Sequence, residues 1–289
     1  MKKAFVSIHG FGKHPGGMKH GFSSALRDNV QDLLGYEVVW EEVLWNDLLP
    51  SPDSKSPLDL MLQTSREVKR FFKGLHGRAI RMRVAETVHA AAEKAGGAPV
   101  VLIGHSFGGV IAYDIMVRQQ APEARALVML APPMGLFHHP EEFLRNAAGH
   151  HLREEQIAAL GLDKISATIA SFPHVRGGRL PEDLPALSIR SESDWFAVSL
   201  APEFHDVSEI DVKPPRGTRE SSLHSFYWKS PEVARSVAAK AVEAATDAGI
   251  PPATGVETEL QCQAVMESLY APPRMLYSKD GSICGCEIS

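Results

Sequence analysis

The sequence predicts an α/β fold, a mostly parallel sheet covered by helices on both faces, with a small helical cap insertion. Three observations predict it. Short apolar runs alternate with stretches of helical periodicity through residue 248, the order that builds parallel sheets. The runs Val100-Val101-Leu102-Ile103 and Ala126-Leu127-Val128-Met129-Leu130 are apolar throughout, as strands buried on both faces must be. Between the first run and the helix-forming stretch Val110–Met116 stands Gly104-His105-Ser106-Phe107-Gly108, where the chain turns abruptly from strand to helix.

Each element follows from its own pattern. Phe5-Val6-Ser7-Ile8 is the first strand, and it ends in His9-Gly10-Phe11-Gly12. Phe22, Leu26, Val30, Leu33 and Leu34 share one face of a first helix, which Gly35 stops. Glu37-Val38-Val39-Trp40 resumes a strand, residues 48–57 read as loop, and a helical region runs to about Ala95. The motif strand and helix come next, then the strand 126–130. Residues 137–185 hold short polar helical pieces and no strand, which marks them as the cap. Ala186-Leu187-Ser188-Ile189-Arg190 and Asp206–Val212 return to strand. The last helix, near 231–248, has Ser230 as N-cap, Pro231 in its first turn, and Gly249 and Pro251 beyond its end.

Residues 1–250 thus form one domain that includes the cap, and 251–289 form a C-terminal extension. Within the extension, Met275-Leu276-Tyr277 and Ser282-Ile283-Cys284 flank Lys279-Asp280-Gly281, a β-hairpin signal.

Bulk properties exclude several function classes. The 289 residues are 44% hydrophobic and 22% charged, with a formal net charge of −5. Such mild acidity offers no footprint for nucleic acid or an anionic membrane. Neither a secretory signal nor an apolar run long enough for a transmembrane segment is present. The three cysteines, Cys262, Cys284 and Cys286, are no disulfide framework; together these features predict a cytoplasmic protein. The adjacent pairs His138-His139 and His150-His151 lack ligand spacing, and Cys284-Gly285-Cys286 has no second pair, so no metal is expected. Cys286-Glu287-Ile288-Ser289 matches a prenylation box without the polybasic stretch that would support it.

The chemistry starts at Ser106. A serine at so tight a turn holds its hydroxyl off the sheet, and Gly104 and Gly108 lack side chains that would collide there. The hydroxyl is a poor nucleophile until a base takes its proton, and the base needs an acid to orient it. Ligands of open α/β sheets sit at the carboxyl ends of the strands, so the acid should follow the strand ending at Arg190. Asp194 does, in Ser191-Glu192-Ser193-Asp194, with Glu192 as the alternative. His224 is the histidine between the last strand and the last helix, whereas His205 precedes that strand. The backbone amides of Phe11 and Phe107 are the candidate oxyanion donors. His9 and His105 read as structural residues of the two loops.

These residues make the chain resemble the α/β-hydrolase fold serine hydrolases. The resemblance rests on His9-Gly10-Phe11-Gly12, Gly104-His105-Ser106-Phe107-Gly108, Asp194 and His224, and it spans residues 5–245. It implies an eight-stranded sheet, a Ser-His-acid triad and no cofactor. The sequence starts on the oxyanion-loop strand, so the first two strands of that pattern are not expected here, and Ser191 stands where glycine is common.

The resulting expectation is a serine esterase, lipase-like, acting on a small-molecule ester with an apolar acyl group. A thioesterase or acyltransferase would use the same triad, and a non-catalytic binding protein would keep only the fold. Trp195, Phe196 and Phe226 flank the acid and base, as core residues or as walls of the acyl pocket.

Overall fold

The computed structural model of the chain describes residues 2–10, 19–49, 70–72, 75–134, 179–194, 196–197, 199–200, 204, 206–219, 222–249, 274–277 and 283–287. Its sheet strands are β1 (Ala4–Ile8), β2 (Val39–Val43), β3 (Val100–His105), β4 (Ala124–Leu130), β5 (Ala186–Arg190) and β6 (Ser208–Asp211). They lie in the order β2-β1-β3-β4-β5-β6, and every pairing is parallel. Among the described residues the sheet therefore has six strands rather than eight, and no antiparallel member.

Among the described residues it is covered by α1 (Ser24–Leu34), α2 (Leu75–Lys94), α3 (Phe107–Val117) and α4 (Pro231–Asp247). Side chains alternate across a strand, so an unbroken apolar run must serve two cores at once. Val100 and Leu102 of β3 pack with Ile80, Val84 and Val88 of α2 and Ile111 of α3. Val101 and Ile103 pack on the other face, with Leu26 and Val30 of α1 and Val237 and Ala241 of α4. That division explains why β3 and β4 carry no polar alternation.

Local signals set the helix ends. Gly35 closes α1 with φ 75°, a left-handed conformation that costs glycine nothing. The Ser230 hydroxyl accepts from the Val233 amide at 3.4 Å, and Pro231 opens α4.

Several boundaries differ from the sequence expectation: β4 begins at Ala124 rather than 126, β6 spans Ser208–Asp211 rather than 206–212, and two further differences have a clear cause. The second strand starts at Val39 and runs to Val43 instead of covering 37–40, because its register is set by β1, which pairs Ala4 with Val39 and Ile8 with Val43. As an edge strand it is half-exposed and includes Glu41 and Glu42, so no apolar run marks it. The motif helix begins at Phe107, directly after the serine, three residues before the apolar stretch that predicted it. The cap expected at 137–185 lies outside the described residues up to 178; residues 179–185 are neither helix nor strand. In the extension, β7 (Arg274–Tyr277) and β8 (Ile283–Glu287) pair antiparallel.

The strand order reverses between β1 and β3. A crevice opens at such a switch point, at the carboxyl ends of the strands. Gly10 and Ser106 both sit there.

Candidate active site

Ser106 joins β3 to α3 with φ 53° and ψ −125°. A positive φ in a residue with a β-carbon costs about 1–3 kcal/mol and persists only where surroundings enforce it. Here the Ser106 amide donates to Leu130 O of β4 at 2.8 Å, and Ser106 O accepts from the Gly109 amide at 2.9 Å. A β-carbon on Gly104 would run into the backbone of Gly108 and Gly109, and one on Gly108 into Ile8 O and His9 O. The elbow thus closes on itself and against β1 through missing side chains.

Gly10 faces the serine from β1. A β-carbon there would stand 2.5 Å from Ser106 Cβ and 3.1 Å from its Oγ. The preceding residue, His9, is engaged at both ring nitrogens. Nε2 accepts from the Trp45 amide at 3.3 Å, which leaves the proton on Nδ1, and Nδ1 donates to Gly10 O at 2.6 Å. Its ring stacks on Trp45 at 4.9 Å, and Trp45 meets the Phe107 ring at 5.6 Å. His9 therefore ties the ends of β1 and β2 to the elbow.

His224 lies in the turn before the 3-10 segment Phe226–Lys229, and Asp194 in the loop after β5. The two meet. His224 Nδ1 is 2.9 Å from Asp194 Oδ2, and since a carboxylate only accepts, Nδ1 carries the proton. The Asp194 Oδ2 also accepts from the Tyr227 hydroxyl at 3.0 Å, and its Oδ1 from the Phe196 amide at 3.2 Å. Burial raises the Asp194 carboxyl, but the His224 charge and the bonds from His224, Tyr227 and Phe196 outweigh it and hold it below the usual range. Glu192, the alternative acid, is exposed, and its amide donates to Asp211 Oδ1.

The loop bearing Asp194 is pinned from β6. The Glu209 carboxylate accepts from Arg190 Nε at 3.0 Å, the Ser199 hydroxyl at 2.6 Å and the Leu200 amide at 2.9 Å. His105 connects this half of the site to the elbow. Its Nε2 is 2.5 Å from His224 O, and the two rings lie 4.9 Å apart. Burial, with the charge of His224, pushes His105 down to about 3, so the ring is neutral and donates its Nε2 proton to that carbonyl.

Phe107 is buried, with its amide at the start of α3. The Phe196 ring lies 4.9 Å from the His224 ring. Phe226 is 6% exposed, stacks on Tyr227 at 4.3 Å and belongs to the core under α4. Phe11 and Trp195 lie outside the described residues, as do His205 and the paired histidines of the cap. Among the described residues no group of histidine, cysteine, aspartate or glutamate could hold a metal ion, and no helix is long and apolar enough to cross a membrane.

Sequence reasoning did not single out Tyr227, Gly10 or the bond made by His105. For Tyr227 a signal existed: it stands three residues after His224, the spacing at which side chains of a tight helical turn line up. Gly10 and His105 owe their roles to contacts between segments far apart in sequence, which no local pattern records.

A family model described as the alpha/beta hydrolase family matches residues 5–267. No curated protein matches the chain. Among solved structures, a lipase-esterase related protein from Clostridium acetobutylicum is 15% identical, with 81% of this chain and 90% of that chain covered and a TM-score of 0.39. A pyrethroid hydrolase is 14% identical, covering 83% and 98%, with a TM-score of 0.45. A haloalkane dehalogenase loop variant from Bradyrhizobium elkanii is also 14% identical, covering 86% and 91%, with a TM-score of 0.41.

Proposed function

The chain belongs to the alpha/beta hydrolase family, and from that premise we propose that it is a serine hydrolase that cleaves carboxylic esters through an acyl-enzyme. The observation that carries this reading is the 2.9 Å bond from His224 Nδ1 to Asp194. With the proton held on Nδ1, the neutral ring keeps Nε2 as a lone pair, the form a general base requires. The strained backbone of Ser106, one residue from the histidine that bonds His224 O, supports its role as nucleophile.

In this mechanism His224 Nε2 takes the Ser106 proton as Oγ attacks the ester carbonyl. The amides of Phe11 and Phe107 hold the oxyanion, each contributing about 3 kcal/mol to transition-state stabilisation. The tetrahedral intermediate expels the alcohol, which leaves with the proton from His224, and Ser106 is acylated. Water then repeats the sequence and releases the acid. Asp194 orients the ring and stabilises its protonated form in both halves. Trp195 and Phe196, beside the acid, are the pocket walls this reading assigns to the acyl group; the burial of Phe226 supports a packing role for that residue.

The test is covalent. A fluorophosphonate probe labels the wild-type chain stoichiometrically, and Ser106→Ala abolishes both labelling and hydrolysis of short p-nitrophenyl esters. A Ser106→Ala protein that hydrolyses these esters at the wild-type rate would overturn the proposal.

A further inference from the structure

We infer that Tyr227 is a positioning residue that tempers the hold of Asp194 on the His224 ring by sharing Asp194 Oδ2 with it. The inference rests on the triad reading above and deepens it. Both donors converge on one oxygen: His224 Nδ1 at 2.9 Å and the Tyr227 hydroxyl at 3.0 Å. Asp194 and Tyr227 are both buried, so the phenol bond does not compete with bulk water and is stronger for it.

The direction of the phenol bond is settled. Burial raises the Tyr227 hydroxyl far above its ordinary range, the Asp194 charge and hydrogen bond raise it further, and the Ser191 amide opposes them only weakly. Tyr227 is therefore a phenol wherever the protein is folded, and it donates. A donor on Oδ2 withdraws negative charge from the oxygen that stabilises the protonated ring. It loosens the hold of the carboxylate on the protonated ring relative to Asp194 alone.

The other ionisable groups facing this cluster do not substitute for it. His105 is neutral and bonds the His224 carbonyl, not the carboxylate. The Asp211 charge raises the Tyr227 hydroxyl, and the His9 charge lowers His105.

A residue that merely filled space would leave the pH profile unchanged. The experiment uses the full chain and follows kcat/KM for a short p-nitrophenyl ester against pH, with fluorophosphonate labelling to count competent sites. In Tyr227→Phe the acidic limb moves to higher pH by about half a unit, and the downfield Nδ1 proton resonance of His224 shifts. Global replacement of tyrosine by 3-fluorotyrosine, a stronger donor that leaves the fold intact, moves the limb to lower pH. This second arm covers a Tyr227→Phe protein that does not fold. An acidic limb that stays in place in whichever protein folds overturns the inference. Ester hydrolysis that survives Ser106→Ala overturns the triad reading instead, so the two failures are distinguishable.

Discussion

At the scale of single residues, the site is a chain of donors and acceptors whose directions follow from chemistry. Asp194 accepts three hydrogen bonds, from His224, Tyr227 and the Phe196 amide. Each of these stabilises the charged carboxylate. Asp194→Asn replaces that acceptor with an amide whose NH2 can donate to His224 and whose remaining oxygen carries no charge. The favoured tautomer is then lost, and kcat/KM should fall about 10³- to 10⁴-fold, as measured with p-nitrophenyl esters. Wild-type activity in Asp194→Asn would return the acid role to Glu192. Order was enough to nominate Ser106, Asp194 and His224, because each follows a strand in the chain order the chemistry needs, with Glu192 left as a rival for the acid. It was not enough to find Tyr227, since a buried tyrosine in a helical turn reads first as a core residue.

At the scale of elements, the elbow depends on how closely β1 and β3 approach. Gly10 and Ser106 come from strands almost a hundred residues apart in sequence, and the register sets Ile8 beside Gly104. Gly10→Ala would place a methyl group 2.5 Å from Ser106 Cβ and 2.9 Å from His105 O. One or the other loop must shift. A displacement of this kind costs about 10²-fold in rate, and fluorophosphonate labelling should slow in parallel while the folded content, read by circular dichroism, stays intact. Labelling of Gly10→Ala at the wild-type rate would mean that the gap is not needed. The elements best read from sequence were those with a complete local signature, such as α1 with its Gly35 stop and α4 with its Ser230 cap. The second strand was misplaced at both ends because an edge strand buries one face, takes its limits from its neighbour and so shows no unbroken apolar run.

At the scale of the whole molecule, the burial of His105 links the site to global stability. Its pKa is depressed to about 3 in the folded chain, against about 6.5 when unfolded. Between those values the unfolded chain binds the extra proton, so this contribution is fully present above about pH 6.5 and is lost as pH falls toward 3. The slope is about 1.4 kcal/mol per pH unit at most. His105→Gln keeps a donor for the His224 carbonyl but cannot titrate. Urea unfolding at pH 4 to 7 should therefore show a flatter pH dependence in the variant than in the wild type; equal slopes would show that His105 does not carry it. Asp194 adds an acid sensitivity of the same sign, lower in pH, because its folded carboxyl is held below its ordinary value. The sequence by itself determined the order of strands and helices, the two-sided core and the position of the strand-to-helix turn at Ser106. Those properties are written in the periodicity of burial and in turn chemistry, which act over a few residues. Only the tertiary structure decided that Gly10 faces Ser106, that His105 holds the His224 carbonyl and that Tyr227 shares the carboxylate. These contacts arise where loops from separate strands converge at one sheet edge, and the order of strands across the sheet is set by packing of the whole chain.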